Sequence, residues 1–405
     1  MEKNFIEEGA RKVVQTLREN GFIAYYAGGC VRDMEMGIEP ADYDIATSAR
    51  PEEVIGLFPR TEPIGAQFGV VLVIYQGVPF EVATFRSDEA YVDGRRPSGV
   101  VFTSYKEDVQ RRDFTINGML FDPIEGRLVD EVCGKADIAA RIVRAIGDPI
   151  KRFGEDKLRL LRAIRFGARL GYTIEEKTWQ AVRVMAPEIH QVSSERIRDE
   201  LVRILIEGQA ARGVGMLSDA GLLRKILPEV TWSDELERAL DLMRPDPKPD
   251  FAMGVLLSGT TEHEAADVVS RLHFSNVERA HIVALVREQE TFTEIQQMSV
   301  AGQKRFFRVH RFDDHLELHR LLSEASGSNL TAYGFVQKRC ATWSEDDLRP
   351  RPLISGEDLI TLGLVPGPLF KRILNVVEDE QLEGILGDRE AALCLVRERF
   401  MGEGS

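Results

Sequence analysis

The hydrophobic period of this 405-residue chain changes once, and that change limits its possible folds more than any other feature. Up to Asp148-Pro149, strand-like and helix-like stretches alternate; beyond it, apolar residues keep a helical spacing nearly to the C-terminus. In the first part, Glu7 to Asn20 reads as an amphipathic helix ended at Gly21, and Phe22 to Ala27 as a short apolar strand stopping at Gly28-Gly29. A helix starts near Cys30 and closes at Gly37. Val70 to Tyr75 is a buried β-run, Gln76-Gly77-Val78-Pro79 a turn, and Phe80 to Phe85 the return strand. Residues 86–100 are polar, with Gly94, Pro97 and Gly99, and predict a mobile loop. The pattern predicts an α+β protein: a small mixed-sheet head followed by an all-α body and tail, divided at 1–150, 151–230 and 231–405.

Hydrophobic residues at 43% and charged residues at 29% match a folded globular chain and exclude disorder. The longest apolar runs, such as Gly69 to Tyr75, fall far below the roughly 18 residues of a membrane span. Residues 1–8 lack the basic-then-apolar order of a secretion signal. Cys30, Cys133, Cys340 and Cys394 form no Cys-x-x-Cys pair, which disfavours a zinc ribbon or a disulfide scaffold and points to the cytoplasm. The net charge of -14 is unevenly spread. Residues 1–150 hold 17 basic and 25 acidic side chains, 151–230 hold 15 and 11, and 231–405 hold 20 and 30. A basic island between acidic segments leaves room for a phosphate-bearing partner.

Several chemistries are excluded. There is no Gly-x-x-x-x-Gly-Lys-Ser/Thr segment, so a Walker-type phosphate loop is out. All seven histidines fall at or after His190, leaving the head without a histidine base or ligand. His310, His315 and His319, at helical spacing, read as core or surface residues. Asp42-Tyr43-Asp44-Ile45-Ala46-Thr47 is the sharpest local feature. In an extended segment Asp42 and Asp44 share one face, and two such carboxylates call for a hard cation such as Mg²⁺. Gly28-Gly29 lets backbone N–H groups approach an anion, and Glu81 supplies a third carboxylate between Phe80 and Val82.

This combination resembles the nucleotidyltransferase superfamily. It is most similar to the tRNA nucleotidyltransferase and bacterial poly(A) polymerase family, the class II CCA-adding enzymes. Gly28-Gly29-Cys30-Val31-Arg32-Asp33, followed by Asp42-Tyr43-Asp44, resembles that family's first motif. Arg111-Arg112-Asp113-Phe114-Thr115-Ile116-Asn117-Gly118 resembles its ribose-contacting motif, with Gly118 where the family usually has alanine. Glu155 to Phe166 resembles its base-reading helix, and Ser194 to Leu201 the helix-supporting motif that follows. Pro352 to Leu386 is more loosely similar to the family's tails.

The resemblance implies a head, a base-recognition neck and a tRNA-binding body and tail over the three segments. It implies a two-metal enzyme that adds CCA, or only the terminal A, to tRNA 3′ ends from CTP and ATP. A poly(A) polymerase built from the same motifs is the alternative; such enzymes often end in a basic extension, whereas this sequence ends acidic. Asp42 and Asp44 would hold Mg²⁺, with Glu81 helping to position the attacking hydroxyl. Gly28, Gly29 and Arg32 would meet the triphosphate, and Arg111, Arg112, Asp113 and Asn117 phosphate and ribose. Asp156 and Arg159, at i and i+3 of one helix and flanked by Arg162 and Arg165, would accept C and A and refuse G and U. The 86–100 segment, with Arg95-Arg96, would act as a lever that reshapes the pocket for A. No protein partner follows from the sequence.

Overall fold

The computed structural model describes residues 2–63, 68–88 and 100–402. Their contacts divide the chain into two compact units. The first comprises residues 1–232, 245–249 and 270–273, and the second the remainder.

The first unit opens with helix α1 (Glu2–Glu19), strand β1 (Ala24–Ala27), α2 (Gly29–Glu35), β2 (Asp44–Thr47), α3 (Pro51–Leu57), β3 (Thr61–Glu62), β4 (Val70–Tyr75) and β5 (Val78–Thr84). After β6 (Arg86–Asp88) and β7 (Val100–Phe102) come α4 (Tyr105–Gln110), β8 (Leu120–Asp122), β9 (Arg127–Val129), α5 (Gly134–Ala140) and β10 (Ile142–Val143). Seven strands make one mixed sheet in the order β3-β4-β5-β2-β1-β8-β9. Among the described residues its single parallel pair is β2 with β5, in the register Ile45↔Val82. Helical structure then takes over: α6 (Pro149–Glu155), α7 (Leu158–Leu170), β11 (Thr173–Ile174) pairing with β10, α8 (Glu176–Met185) and α9 (Ser194–Ile206).

Strand alternation sorts the sheet's residues onto two faces. Tyr26, Ile45, Val71, Val73, Phe80 and Val82 pack with Val13, Val14 and Leu17 of α1. Tyr25, Ala27, Ala46 and Phe85 lie on the opposite face with Val109 of α4 and Leu120. Asp44 and Glu81 have the parity of Ala46 and stand at the open edge of that second face.

Two local differences from the sequence reading have simple causes. The β4–β5 turn is only Gln76-Gly77, because both residues take positive φ (50° and 86°), the geometry of a two-residue hairpin whose twist matches the strands. Val78 and Pro79 therefore already belong to β5, opposite Tyr75 and Ile74. At the other end of β5, the expected loop 86–100 begins and ends as the β6–β7 hairpin, while its residues 89–99 lie outside the described ones.

The described part of the second unit is helical throughout. Phe292, Phe306, Phe307 and Val336 form one core, and Ile354, Leu359, Ile373, Val377, Ala392 and Val396 another. His315 is 2% exposed there and His319 stacks on Phe292 at 4.5 Å.

Candidate active site

The carboxylates meet as the sheet dictates. Tyr43 and Ile45 are buried while Asp42 and Asp44 stay exposed, so the predicted alternation holds around the start of β2. Glu81 lies one residue before Val82, as Asp44 lies one before Ile45, so the parallel register sets the two carboxylates side by side. Burial of its surroundings pushes the Asp44 carboxyl up to about 6; the charges of Glu81 and Asp42 push the same way and Arg112 opposes them. Three carboxylates so arranged are costly without a cation.

Gly28 closes this cleft. It takes φ +76°, and a side chain there would sit 3.6 Å from Arg112 Nη1 and 3.8 Å from Asp44 Oδ2. Arg112 therefore faces Asp44 across the glycine, with its other two nitrogens held by Asp108 Oδ2 at 3.0 and 3.2 Å. Arg111 is held by Asp108 Oδ1 at 2.7 and 3.0 Å and donates to the carbonyl of Arg86. Asp108, 1% exposed, also accepts from the Arg86 N–H at the root of the β6–β7 hairpin. Its burial alone would raise its pKa, but Arg112 and Arg111 outweigh that and hold the carboxyl below its ordinary value. Asp108 was not singled out from the sequence, although its i+3 and i+4 spacing to two arginines was a readable signal.

Behind the cleft runs a buried chain of alternating charge. Arg32 does not stand open toward the cleft as the sequence suggested. It is 3% exposed and donates to Asp33 and, at 2.9 Å, to Asn117 Oδ1. Asn117 donates to Asp113, which accepts from Arg162 at 2.8 Å and from the Phe114 N–H. Although burial would raise the Asp113 pKa, Arg162 and Arg159 hold it below the ordinary value. Arg165, 4% exposed, is enclosed by Glu200 and Glu207 at 2.7 and 3.0 Å. The expected helix-supporting motif thus supports α7 through Glu200. Gly118 fits this packing, since a Cβ there would lie 2.8 Å from Ile146 and 2.9 Å from Val132.

The expected pairing of Asp156 with Arg159 along one helix is corrected by the structure. Asp156 has extended dihedrals (φ −148°, ψ 108°) and breaks the helix between α6 and α7. Its Oδ1 accepts from the Leu158 N–H at 3.0 Å, and its Oδ2 from Arg196 Nη2 at 2.7 Å. Arg159 instead donates to Glu155 and to the carbonyls of Arg152 and Arg111. Both heads are fixed, but by different partners. Arg196, forty residues away in sequence, gave no local signal of this role.

No three His, Cys, Asp or Glu side chains among the described residues converge closely enough for a complete metal cage. An exposed carboxylate pair fits Mg²⁺ nonetheless, because that ion is commonly held by one or two carboxylates plus substrate phosphates and water.

Comparison with known proteins agrees with this geometry. Residues 24–144 match the family described as Poly A polymerase head domain, and residues 171–233 that described as probable RNA and SrmB-binding site of polymerase A. The CCA-adding enzyme of Geobacillus sp. (strain WCH70) is 34% identical over 380 residues, 92% of each chain. That of Streptococcus pneumoniae (strain ATCC BAA-255 / R6) is 32% identical over 400 residues, 96% of this chain and 97% of the relative. Among solved structures, the Bacillus stearothermophilus CCA-adding enzyme in complex with CTP superposes with a TM-score of 0.79 at 27% identity over 97% of each chain. The Thermotoga maritima CCA-adding enzyme complexed with tRNA shares the fold, with a TM-score of 0.66 at 20% identity over 96% of this chain and 93% of that one. With the similarity running through head and helical body alike, this chain belongs to the family of CCA-adding enzymes, the tRNA nucleotidyltransferases.

Proposed function

We propose that this enzyme adds C, C and A in turn to the 3′ end of tRNA, taking CTP and ATP without a nucleic-acid template. The observation that carries the reading is the cleft where Asp44 and Glu81 lie side by side and face Gly28 and Arg112. It occurs in a chain whose relatives over more than nine-tenths of its length are CCA-adding enzymes. The same relatives favour CCA addition over poly(A) synthesis and over addition of A alone.

Asp42 and Asp44 would hold Mg²⁺, which supplies Lewis-acid activation of the RNA 3′-hydroxyl and charge neutralisation at the triphosphate. Glu81 orients the attacking hydroxyl, and Arg112, aimed across Gly28, draws the triphosphate into line. Gly28 and Gly29 leave room for the phosphates beside their backbone. Arg111 keeps the motif's backbone in place, because its carbonyl anchors Arg159. Asp113, steadied by Arg162 and Asn117, accepts from the ribose 2′-hydroxyl.

Asp156 and Arg159 read the base. Cytosine and adenine each present an amino donor beside a ring-nitrogen acceptor, whereas guanine and uracil present the reverse order. A carboxylate fixed by Arg196 and a guanidinium fixed by Glu155 offer the matching acceptor and donor. Residues 1–150 serve as the catalytic head, 151–230 as the neck that reads the base, and 231–405 as the part that holds the tRNA. No helix among the described residues is long and apolar enough to cross a membrane, and we place the activity in the cytoplasm, where tRNA is matured.

The test offers tRNAs ending before the first C, after one C and after both, with each labelled nucleotide in turn. Two C's and one A should be incorporated, and then addition should stop. A product that ends after the second C, or one extended into a run of A's, overturns the reading.

A further inference from the structure

Phe166 on α7 is 4% exposed and meets Phe114 edge-on at 5.7 Å between ring centroids. Three guanidinium carbons gather around its ring: Arg165 at 4.4 Å, Arg162 at 5.3 Å and Arg32 at 5.5 Å from the centroid. Arg32 comes from α2, three residues past the glycine pair, and the other two from α7. Like charges so close repel. The carboxylates of Asp33, Asp113, Glu200 and Glu207 balance them, each bound to one or two of these arginines. Carboxylates alone leave several ways to share the pairs. The feature common to all three cations is the negative face of one ring, which is attractive from fixed directions and strongest where water is excluded.

Two of these arginines, together with the Phe114 N–H on Oδ1, hold Asp113 in its orientation. Arg162 binds its Oδ2, and Arg32 binds Asn117, whose amide donates to its Oδ1. We propose that Phe166 is a positioning residue for ribose selection: its π face orients Arg32 and Arg162 together, and through them holds Asp113 toward the nucleotide sugar. This rests on the nucleotide-binding role of Asp113 stated above.

The experiment compares wild type with Phe166→Leu, Phe166→Tyr, Asp113→Ala and a series of progressively fluorinated phenylalanines at position 166, which keep the shape while draining the ring's negative face. Steady-state kinetics with CTP, ATP and dCTP on tRNA ending after one C or after both are read beside melting temperatures. Phe166→Leu should raise KM for CTP and ATP about tenfold, the loss expected for one buried cation–π contact, with kcat changed far less. Preference for CTP over dCTP should fall by a similar factor. Phe166→Tyr should keep both, and the fluorinated series should lose both stepwise even where the melting temperature is unmoved. Full ribose preference throughout the fluorinated series, with Asp113→Ala having lost it, overturns the inference and leaves the function standing. Ribose preference retained by Asp113→Ala overturns the ribose role and this inference with it, and wild type that incorporates neither C nor A refutes the function itself.

Discussion

Replacing Asp44 by asparagine should make the protein more stable while abolishing its activity. The folded carboxyl titrates at about 6 against an ordinary 3.8, because its surroundings are poorly hydrated and Glu81 and Asp42 repel it. Two units correspond to about 3 kcal/mol at about 1.4 kcal/mol each. Asp44 is exposed at the cleft edge, however, and solvent screening cuts this to about 1 kcal/mol. Between pH 3.8 and 6 the folded state binds more protons than the unfolded one, so stability drains as pH rises through that window, and the whole cost is present above it. Asp44→Asn has no charge to place there. In urea or thermal unfolding at pH 8 it should exceed wild type by about 1 kcal/mol, or about 2–4 °C for a unit of this size, with the gap shrinking toward pH 5. Adding Mg²⁺ should also narrow the gap, since the ion stabilises only the form that binds it. Incorporation of C and A should be lost while tRNA binding remains. A variant no more stable than wild type at pH 8, or one that still extends tRNA at a near-normal rate, would refute the reasoning.

Asp156→Ala should lower the preference for CTP and ATP over UTP and GTP about tenfold to a hundredfold, the worth of a hydrogen bond to a charged group, and unchanged selectivity in competition assays would remove Asp156 as the reader. Gly28→Ala should cost about 1 kcal/mol of stability, since φ is +76°, and should raise the nucleotide KM by intruding between Arg112 and Asp44; an unaltered KM would argue against a triphosphate at that spot. His315 is buried and held near 4 by desolvation and by His281, so it stays neutral in the fold while the unfolded chain protonates below 6.5. Stability should therefore fall by about 2 kcal/mol from pH 7.5 to 5 through this group. His315→Phe should lose that share of the acid sensitivity in urea titrations, and an identical pH profile would contradict the assignment.

The carboxylate cleft was legible because its signals are local. Alternation along Asp42-Tyr43-Asp44-Ile45 follows from strand geometry, and Glu81 between Phe80 and Val82 stood out for the same reason. The arginine chemistry was legible only by residue type. Six arginines read as one basic set around the nucleotide, but desolvating a guanidinium is expensive unless an acid meets it, and the acids that meet Arg162 and Arg165 lie far away in sequence. Arg165 is claimed by Glu200 and Glu207 and Arg32 by Asn117, and only contacts of that range separate an inward arginine from one aimed at the cleft, such as Arg112.

The order of elements, the change from mixed sheet to helices near Asp148, the two-carboxylate strand and the glycine before α2 all follow from the chain, because period, turn chemistry and side-chain parity act over a few residues. Two things came from the tertiary structure alone: the neighbouring of Asp44 and Glu81, and the partner that Asp156 takes. The first depends on β2 pairing with β5 in parallel register, a contact that closes a loop of more than thirty residues. The second depends on Arg196, forty residues away, which takes Oδ2 of Asp156, whereas the helix break at Asp156 has a local partner in the Leu158 N–H bound to Oδ1. Helical spacing predicts which side chains can meet; a buried charge takes whichever opposite charge the packed fold brings nearest.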